Sequence, residues 1–220
     1  MKQLRIFLLL ISMAAAFTSI AQQPAYWNDI QKFKQADSIA FPKQNQILFV
    51  GSSSFTMWKD VQSYFTAYPI LNRGFGGSTL EDVIRYANDI ILPYNPKQIV
   101  IYCGENDLAA DENLMPAQAA ERFFKLFELI RAKYKKVPIA YVAMKPSPSR
   151  AHLMPKYNVA NTMIKNFLKK KKRTAFIDVY HAMLDANGAP MKEIFIADNL
   201  HMNKKGYDIW QKIIQPYLKK

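Results

Sequence analysis

Residues 46–58 read QILFVGSSSFTMW. Gln46 to Val50 is a short apolar, partly β-branched run that ends at Gly51, the pattern of a buried parallel strand. Beyond the serines, Phe55, Trp58, Val61 and Phe65 recur at helical spacing within FTMWKDVQSYF. A strand that breaks at a glycine and turns into a helix puts the turn residues at the carboxyl end of a sheet, where open α/β folds bind ligands. Ser52, Ser53 and Ser54 are therefore placed where chemistry is done. The same position suits a helix N-cap, whose side-chain oxygen accepts from the orphan N–H groups of the first turn. The stretch alone leaves both readings open.

Outward from it, strand-like and helix-like segments alternate. Strands are predicted at 46–51, around Ile70–Asn72, and at 98–103, 138–143 and 174–179, with helical patterns at about 79–92, 116–135, 155–171 and 204–218. Such alternation predicts a parallel sheet with helices on both faces. Right-handed crossovers then bring the strands' carboxyl ends to one edge. Neither a repeat nor a low-complexity linker interrupts the pattern, and KPSPSR at 145–150 is a turn-rich loop too short to divide domains.

The chain of 220 residues opens MKQLRIFLLLISMAAAFTSIAQQ. Lys2 and Arg5 precede an apolar run from Ile6 to Phe17, followed by Ser19-Ile20-Ala21, the layout of an export signal cleaved near Ala21. The run is short for a transmembrane helix, although an uncleaved anchor is an alternative reading. No cysteine follows it to carry a lipid. Residues 1–21 are thus read as a signal peptide and 22–220 as a single domain, periplasmic or secreted, of a size that supports a sizeable core. Cys103, the sole cysteine, cannot form an internal disulfide and reads as a small buried apolar residue in QIVIYCG.

Formal net charge is +13; Lys2 and Arg5 supply two of those charges, with no acid beside them, so residues 22–220 keep +11. The densest basic run, Lys169–Arg173, closes a predicted helix, where cations complement the macrodipole. No stacking aromatics interleave with these lysines and the signal points outside the cytoplasm, so no nucleic-acid partner is expected. Anionic glycan or envelope surfaces suit the charge better.

The residues directly after each predicted strand carry the chemistry. After the first comes Gly51-Ser52-Ser53-Ser54; after the second, Asn72-Arg73-Gly74-Phe75-Gly76-Gly77-Ser78-Thr79; after the third, Gly104-Glu105-Asn106-Asp107; and near the C-terminus stands Asp198-Asn199-Leu200-His201. A serine hydroxyl attacks only when a base takes its proton, and His201 is the candidate base. Asp198 is positioned to hold the imidazole in the needed tautomer. Attack on an ester carbonyl develops negative charge on oxygen; Gly77 can bring a backbone N–H close, and Asn106 can offer a side-chain amide N–H. The glycine-rich turn does not read as a dinucleotide fingerprint, because Thr79 stands where its third glycine belongs.

These four blocks, in this order, resemble the SGNH hydrolase superfamily, the GDSL-type esterases and lipases, in a branch whose first block reads Gly-Ser-Ser-Ser. The resemblance spans roughly 46–210. By position it implies Ser53 as nucleophile and as one oxyanion donor, Gly77 and Asn106 as the other donors, and Asp198 with His201 as the remaining triad members. It implies a three-layer α/β/α fold with a flavodoxin-like, mostly parallel five-stranded sheet. Ser52 replaces the aspartate of the commonest pattern, which leaves the mechanism standing but blurs which serine attacks.

Asp178 and His181 repeat the Asp-x-x-His spacing. The pair at 198 and 201 is preferred because His-Met-Asn-Lys-Lys-Gly-Tyr follows, as in the family's closing block. His152 lies in the loop after KPSPSR. No His, Cys and Glu spacing suggests a metal site, and no cofactor is expected. Phe55, Trp58 and Phe75 could line a pocket, although aromatics at helical spacing usually belong to a core. Arg73 and Arg150, in or beside strand-end loops, could hold an anionic group or a sugar hydroxyl.

The expected function is an exported serine esterase that removes short acyl groups, acetyl foremost, from a carbohydrate or similar polar substrate. A lysophospholipase or lipase of the same superfamily, or a non-catalytic glycan- or envelope-binding module, are the alternatives.

Overall fold

A computed structural model describes residues 23–220. The predicted signal peptide and its cleavage point lie outside the described residues. In chain order the elements are α1 (Trp27–Ile39), β1 (Ile47–Gly51), α2 (Ser53–Thr56), α3 (Val61–Tyr64), β2 (Ile70–Gly74), α4 (Leu80–Arg85), α5 (Ala87–Ile90), β3 (Gln98–Tyr102), α6 (Glu105–Ala110), α7 (Pro116–Lys133), β4 (Ile139–Val142), α8 (Met154–Lys169), β5 (Thr174–Ile177) and α9 (Lys204–Ile214). The five strands form one sheet in the order β2-β1-β3-β4-β5, and every pairing is parallel. This is the flavodoxin-like α/β sheet that the alternation and the four blocks imply.

β1 sets Ile47 level with both Ile70 of β2 and Gln98 of β3. The chain goes outward from β1 to β2 and then crosses back past β1 to β3. Loops leaving β1 and β3 therefore diverge and open a crevice, the topological switch point at which such sheets bind ligands. Ser53 follows β1 and Asn106 follows β3, so sheet order alone carries both to this crevice.

β1, β3 and β4 are buried along their whole length, as strands covered on both faces must be. Tyr141 of β4 stands level with Ile101, so it faces away from the side taken by Tyr102. On one face Tyr141 packs against Phe123 of α7 with ring centroids 4.6 Å apart, and α7 lies between α4 and α8. On the other, Tyr102 meets Trp210 of α9 at 4.8 Å, and Trp58 stacks on Tyr207 at 4.8 Å. The helix α7 shows why such layers form. Ala119, Ala120, Phe123, Leu126, Phe127 and Ile130 make a stripe at i, i+3 and i+4 spacing, Pro116 starts the helix, and Arg131 and Lys133 sit in its last turn.

Several boundaries differ from the sequence pattern. The stretch after the serines, which reads as one helix, is two short ones, α2 and α3, with Trp58 buried between them. The pattern at 79–92 is likewise divided into α4 and α5, and the final helix stops at Ile214 before a 3₁₀ turn over Gln215–Tyr217. α1 has no counterpart in the pattern, because Ile30 is its only buried residue and a helix without an apolar stripe leaves no periodic signal. The basic run closes α8, where Lys171 pairs with Glu128 at 2.7 Å and lies over the Phe167 ring. Among the described residues no helix is long and apolar enough to cross a membrane.

Candidate active site

The site begins with a close approach of two strands. Gly51 has φ +141°, and a Cβ there would stand 1.8 Å from the Tyr102 carbonyl oxygen, so only glycine lets β1 end this near β3. Ser52 N–H donates to that same carbonyl at 2.9 Å, and the chain turns into α2 at Ser53. Ser52 and Ser54 are buried, whereas Ser53 is partly exposed. Ser52 occupies the N-cap position, but its side chain makes no capping hydrogen bond. The turn thus presents one serine of three, and Ser53 Oγ lies 2.9 Å from His201 Nε2.

His201 is held by its own loop. An isolated bridge between Phe195 and Met202 pinches the segment, and Ile196 N–H donates to the His201 carbonyl at 2.8 Å. Within it, Asp198 Oδ1 accepts from the N–H groups of Leu200 and His201, both at 2.9 Å, while Oδ2 lies 2.6 Å from His201 Nδ1. Burial works to raise the Asp198 pKa, but the hydrogen bonds from the His201 ring and from the two backbone N–H groups outweigh it and hold the carboxyl at about 2. An ionised Asp198 accepts a proton-bearing Nδ1, which leaves Nε2 of a neutral imidazole as the acceptor facing Ser53.

The turn after β2 also reaches Ser53. A Cβ on Gly76 would lie 4.0 Å from Ser53 Cβ, so the turn after β2 flanks the serine. Gly77 follows with φ +81°, and its carbonyl accepts from the Tyr26 hydroxyl at 2.8 Å. Asn106, in the first turn of α6, donates Nδ2 to the Ser78 carbonyl at 3.0 Å and accepts from Arg150 Nη1 on Oδ1 at 3.0 Å. A carboxamide has two N–H donors, so one remains for a ligand. Ser53 opens α2, where backbone N–H groups lack intrahelical partners. Ser53, Gly77 and Asn106 thus follow β1, β2 and β3 at one edge of the sheet.

Other residues singled out by sequence lie elsewhere in the structure. His181 reproduces the local pairing, its Nδ1 2.9 Å from Asp178 Oδ2, but its side chain is 75% exposed and meets no serine. His152 is exposed. Arg73 is not free to meet a substrate: it is buried, paired with Asp37 of α1, donates Nε to the Tyr94 hydroxyl at 2.9 Å and lies over the Phe33 ring. Phe55, Trp58 and Phe75 are core residues, none more than 1% exposed. Cys103 is buried, and burial pushes its thiol pKa up. Asp107 serves the scaffold, accepting from Leu80 N–H and from Arg122. Among the described residues no group of three His, Cys, Asp or Glu side chains could hold a metal ion. Nothing in the sequence marks Tyr26, and Arg150, which reads there as a holder of substrate groups, is the partner of Asn106.

Residues 37–209 match the model of the GDSL-like Lipase/Acylhydrolase family. The chain belongs to that family. The GDSL-like acylhydrolases are carboxylic ester hydrolases, so the chain is an enzyme of that class. No curated protein matches it. Among solved structures, a Streptococcus pneumonia protein assigned as a platelet activating factor superposes with TM-score 0.77 at 20% identity, over 87% of this chain and 92% of that one. A Bacteroides fragilis protein assigned as an acylhydrolase gives TM-score 0.73 at 22% identity, over 86% and 95%. A variant of an acetyl-xylooligosaccharide esterase from Geobacillus gives 0.63 at 13% identity, over 81% and 96%. At these identities the likeness is one of fold.

Proposed function

We propose that this acylhydrolase is an exported serine esterase of the Gly-Ser-Ser-Ser branch that removes short acyl groups, acetyl foremost, from a carbohydrate or similar polar alcohol. The observation that carries the reading is the continuous relay from Ser53 Oγ through the His201 ring to Asp198, at 2.9 and 2.6 Å. Ser53 Oγ attacks the ester carbonyl carbon while its proton passes to His201 Nε2. The negative charge that develops on the carbonyl oxygen is received by the N–H groups of Ser53, Gly77 and Asn106. Collapse of the tetrahedral species breaks the bond to the alcohol oxygen, which takes the proton from Nε2 and leaves an acyl-serine. Water then attacks the acyl carbon, gives its proton to Nε2, and the carboxylic acid departs as Ser53 Oγ regains a proton. Asp198 keeps Nδ1 protonated and stabilises the imidazolium between the steps. A binding module would have no use for this relay.

Two observations support a short acyl group. Phe55, Trp58 and Phe75, the aromatic residues that the sequence offers for a pocket, are buried in the core and furnish no acyl-binding surface. The Geobacillus esterase of the same fold acts on an acetylated oligosaccharide by its name. The basic excess would favour anionic glycans or envelope surfaces where an exported chain works. Hydrolysis of p-nitrophenyl esters of graded chain length by residues 22–220 tests the reading. Acetyl should give a higher kcat/KM than octanoyl, and acetylated sugars should be accepted. The reverse ranking would make the enzyme a lipid-handling esterase.

A further inference from the structure

The KPSPSR stretch after β4, a loop whose last three residues open a 3₁₀ turn over Pro148–Leu153, makes contacts to both halves of the site. Lys145, 1% exposed, places Nζ 3.2 Å from the buried Glu105 carboxylate, the residue before Asn106. Ser149 donates both its N–H, at 3.1 Å, and its hydroxyl, at 3.0 Å, to the carbonyl of Asn199. Asn199 sits between Asp198 and His201 with φ +56°. Arg150 donates Nη1 to Asn106 Oδ1 at 3.0 Å, and its own N–H folds back on the Ser147 carbonyl at 3.1 Å. One stretch of six residues therefore grips the base-carrying loop with Ser149 and the oxyanion donor with Arg150.

The geometry of the amide shows what Arg150 adds. The two ends of a carboxamide are close in shape and opposite in hydrogen-bonding sense. In the observed orientation Nδ2 faces the Ser78 carbonyl and Oδ1 faces a guanidinium. A flip would set oxygen against oxygen and N–H against a cation. Without Arg150, Oδ1 loses its partner and the second N–H of Asn106 is no longer held where charge develops. Preorganised donors stabilise a transition state only if they do not have to reorient during the reaction.

We propose that Arg150 is a positioning residue for ester hydrolysis, acting through Asn106, and that the loop from Lys145 to Arg150 keeps the oxyanion donor in register with the loop that carries Asp198 and His201. This rests on Asn106 being an oxyanion donor. It makes Arg150 part of turnover rather than the anchor of a substrate group.

The test is a double-mutant cycle on a p-nitrophenyl ester with Arg150→Ala, Asn106→Ala and the pair, together with Arg150→Lys. Arg150→Ala should lower kcat by about ten- to a hundredfold with KM little changed, less than the hundred- to thousandfold loss of a whole donor. In the Asn106→Ala background the same change should cost almost nothing. Arg150→Lys, which keeps a cationic donor within reach, should recover part of the loss. A role confined to folding would lower both backgrounds by the same factor, and that result overturns the proposal. A rise in KM at constant kcat would also overturn it, as a sign that Arg150 binds substrate. Full activity in Asn106→Ala alone would refute the oxyanion assignment itself, a failure distinct from that of the loop.

Discussion

Ser53 Oγ and His201 Nε2, 148 positions apart in the chain, stand 2.9 Å from each other in the crevice where the sheet order reverses. The neighbouring serines are 3% and 2% exposed. Ser53→Ala should therefore abolish ester hydrolysis, while Ser52→Ala and Ser54→Ala keep measurable kcat. An inactive Ser54→Ala beside an active Ser53→Ala would place the nucleophile one residue later.

The donors should respond unequally to mutation. Asn106→Ala removes an N–H and should lower kcat by about a hundred- to a thousandfold. Gly77→Ala keeps the N–H but puts a Cβ at φ +81°, 3.2 Å from the Tyr26 hydroxyl. Its cost should appear as about 1–3 kcal/mol of lost stability in urea unfolding. A Gly77→Ala protein as stable as the parent would contradict the strained geometry of this turn.

The legibility of fold and site in the sequence depends on how local each signal is. β1, β3 and β4 are covered on both faces, so they read as continuous apolar runs, and the sheet emerges from them. Sheet order then brings together the residues of the first three blocks, and the loop pinched between Phe195 and Met202 adds the fourth. The choice among Ser52, Ser53 and Ser54 rests on resemblance alone in the sequence, because three like residues carry no local mark of which side chain the turn exposes. Arg73 passes for a free strand-end cation for a related reason: its partner Asp37 lies on α1, a helix with one buried residue and no periodic trace. Arg150 and Tyr26 act on partners 44 and 51 positions away, and nothing in their own neighbourhoods announces those contacts.

Acid should separate Asp198 from its role in a defined window. Its carboxyl is held at about 2 by the hydrogen bonds of His201 and Leu200, below the ordinary unfolded value of about 3.9. A depressed folded pKa contributes stability that is present above the unfolded value and lost as pH falls through the folded one. The stability difference between the parent and Asp198→Asn should thus shrink between about pH 4 and pH 2. A difference constant across that range in thermal unfolding would remove the linkage. At neutral pH the same variant should lose about ten-thousandfold in kcat, because an amide does not enforce the needed tautomer.

The buried pair behind Asn106 should show the asymmetry of desolvated charges. Burial lowers the Lys145 pKa against the pull of Glu105, and the two side chains are 1% and 5% exposed. Lys145→Ala or Glu105→Ala should destabilise by about 3–5 kcal/mol, since each leaves a charge buried without its partner. Lys145→Met combined with Glu105→Leu should cost less than the two single changes together. Additive losses in denaturant unfolding would argue that the charges do not interact.

If His201 activates Ser53 as the nucleophile, this serine should react with an active-site-directed phosphonate. Labelling with a fluorophosphonate, followed by mass mapping of peptides, tests it most directly. A single adduct should form on Ser53, absent from Ser53→Ala and strongly slowed in His201→Ala. An adduct on Ser54 or on another segment, or undiminished labelling in His201→Ala, would contradict it.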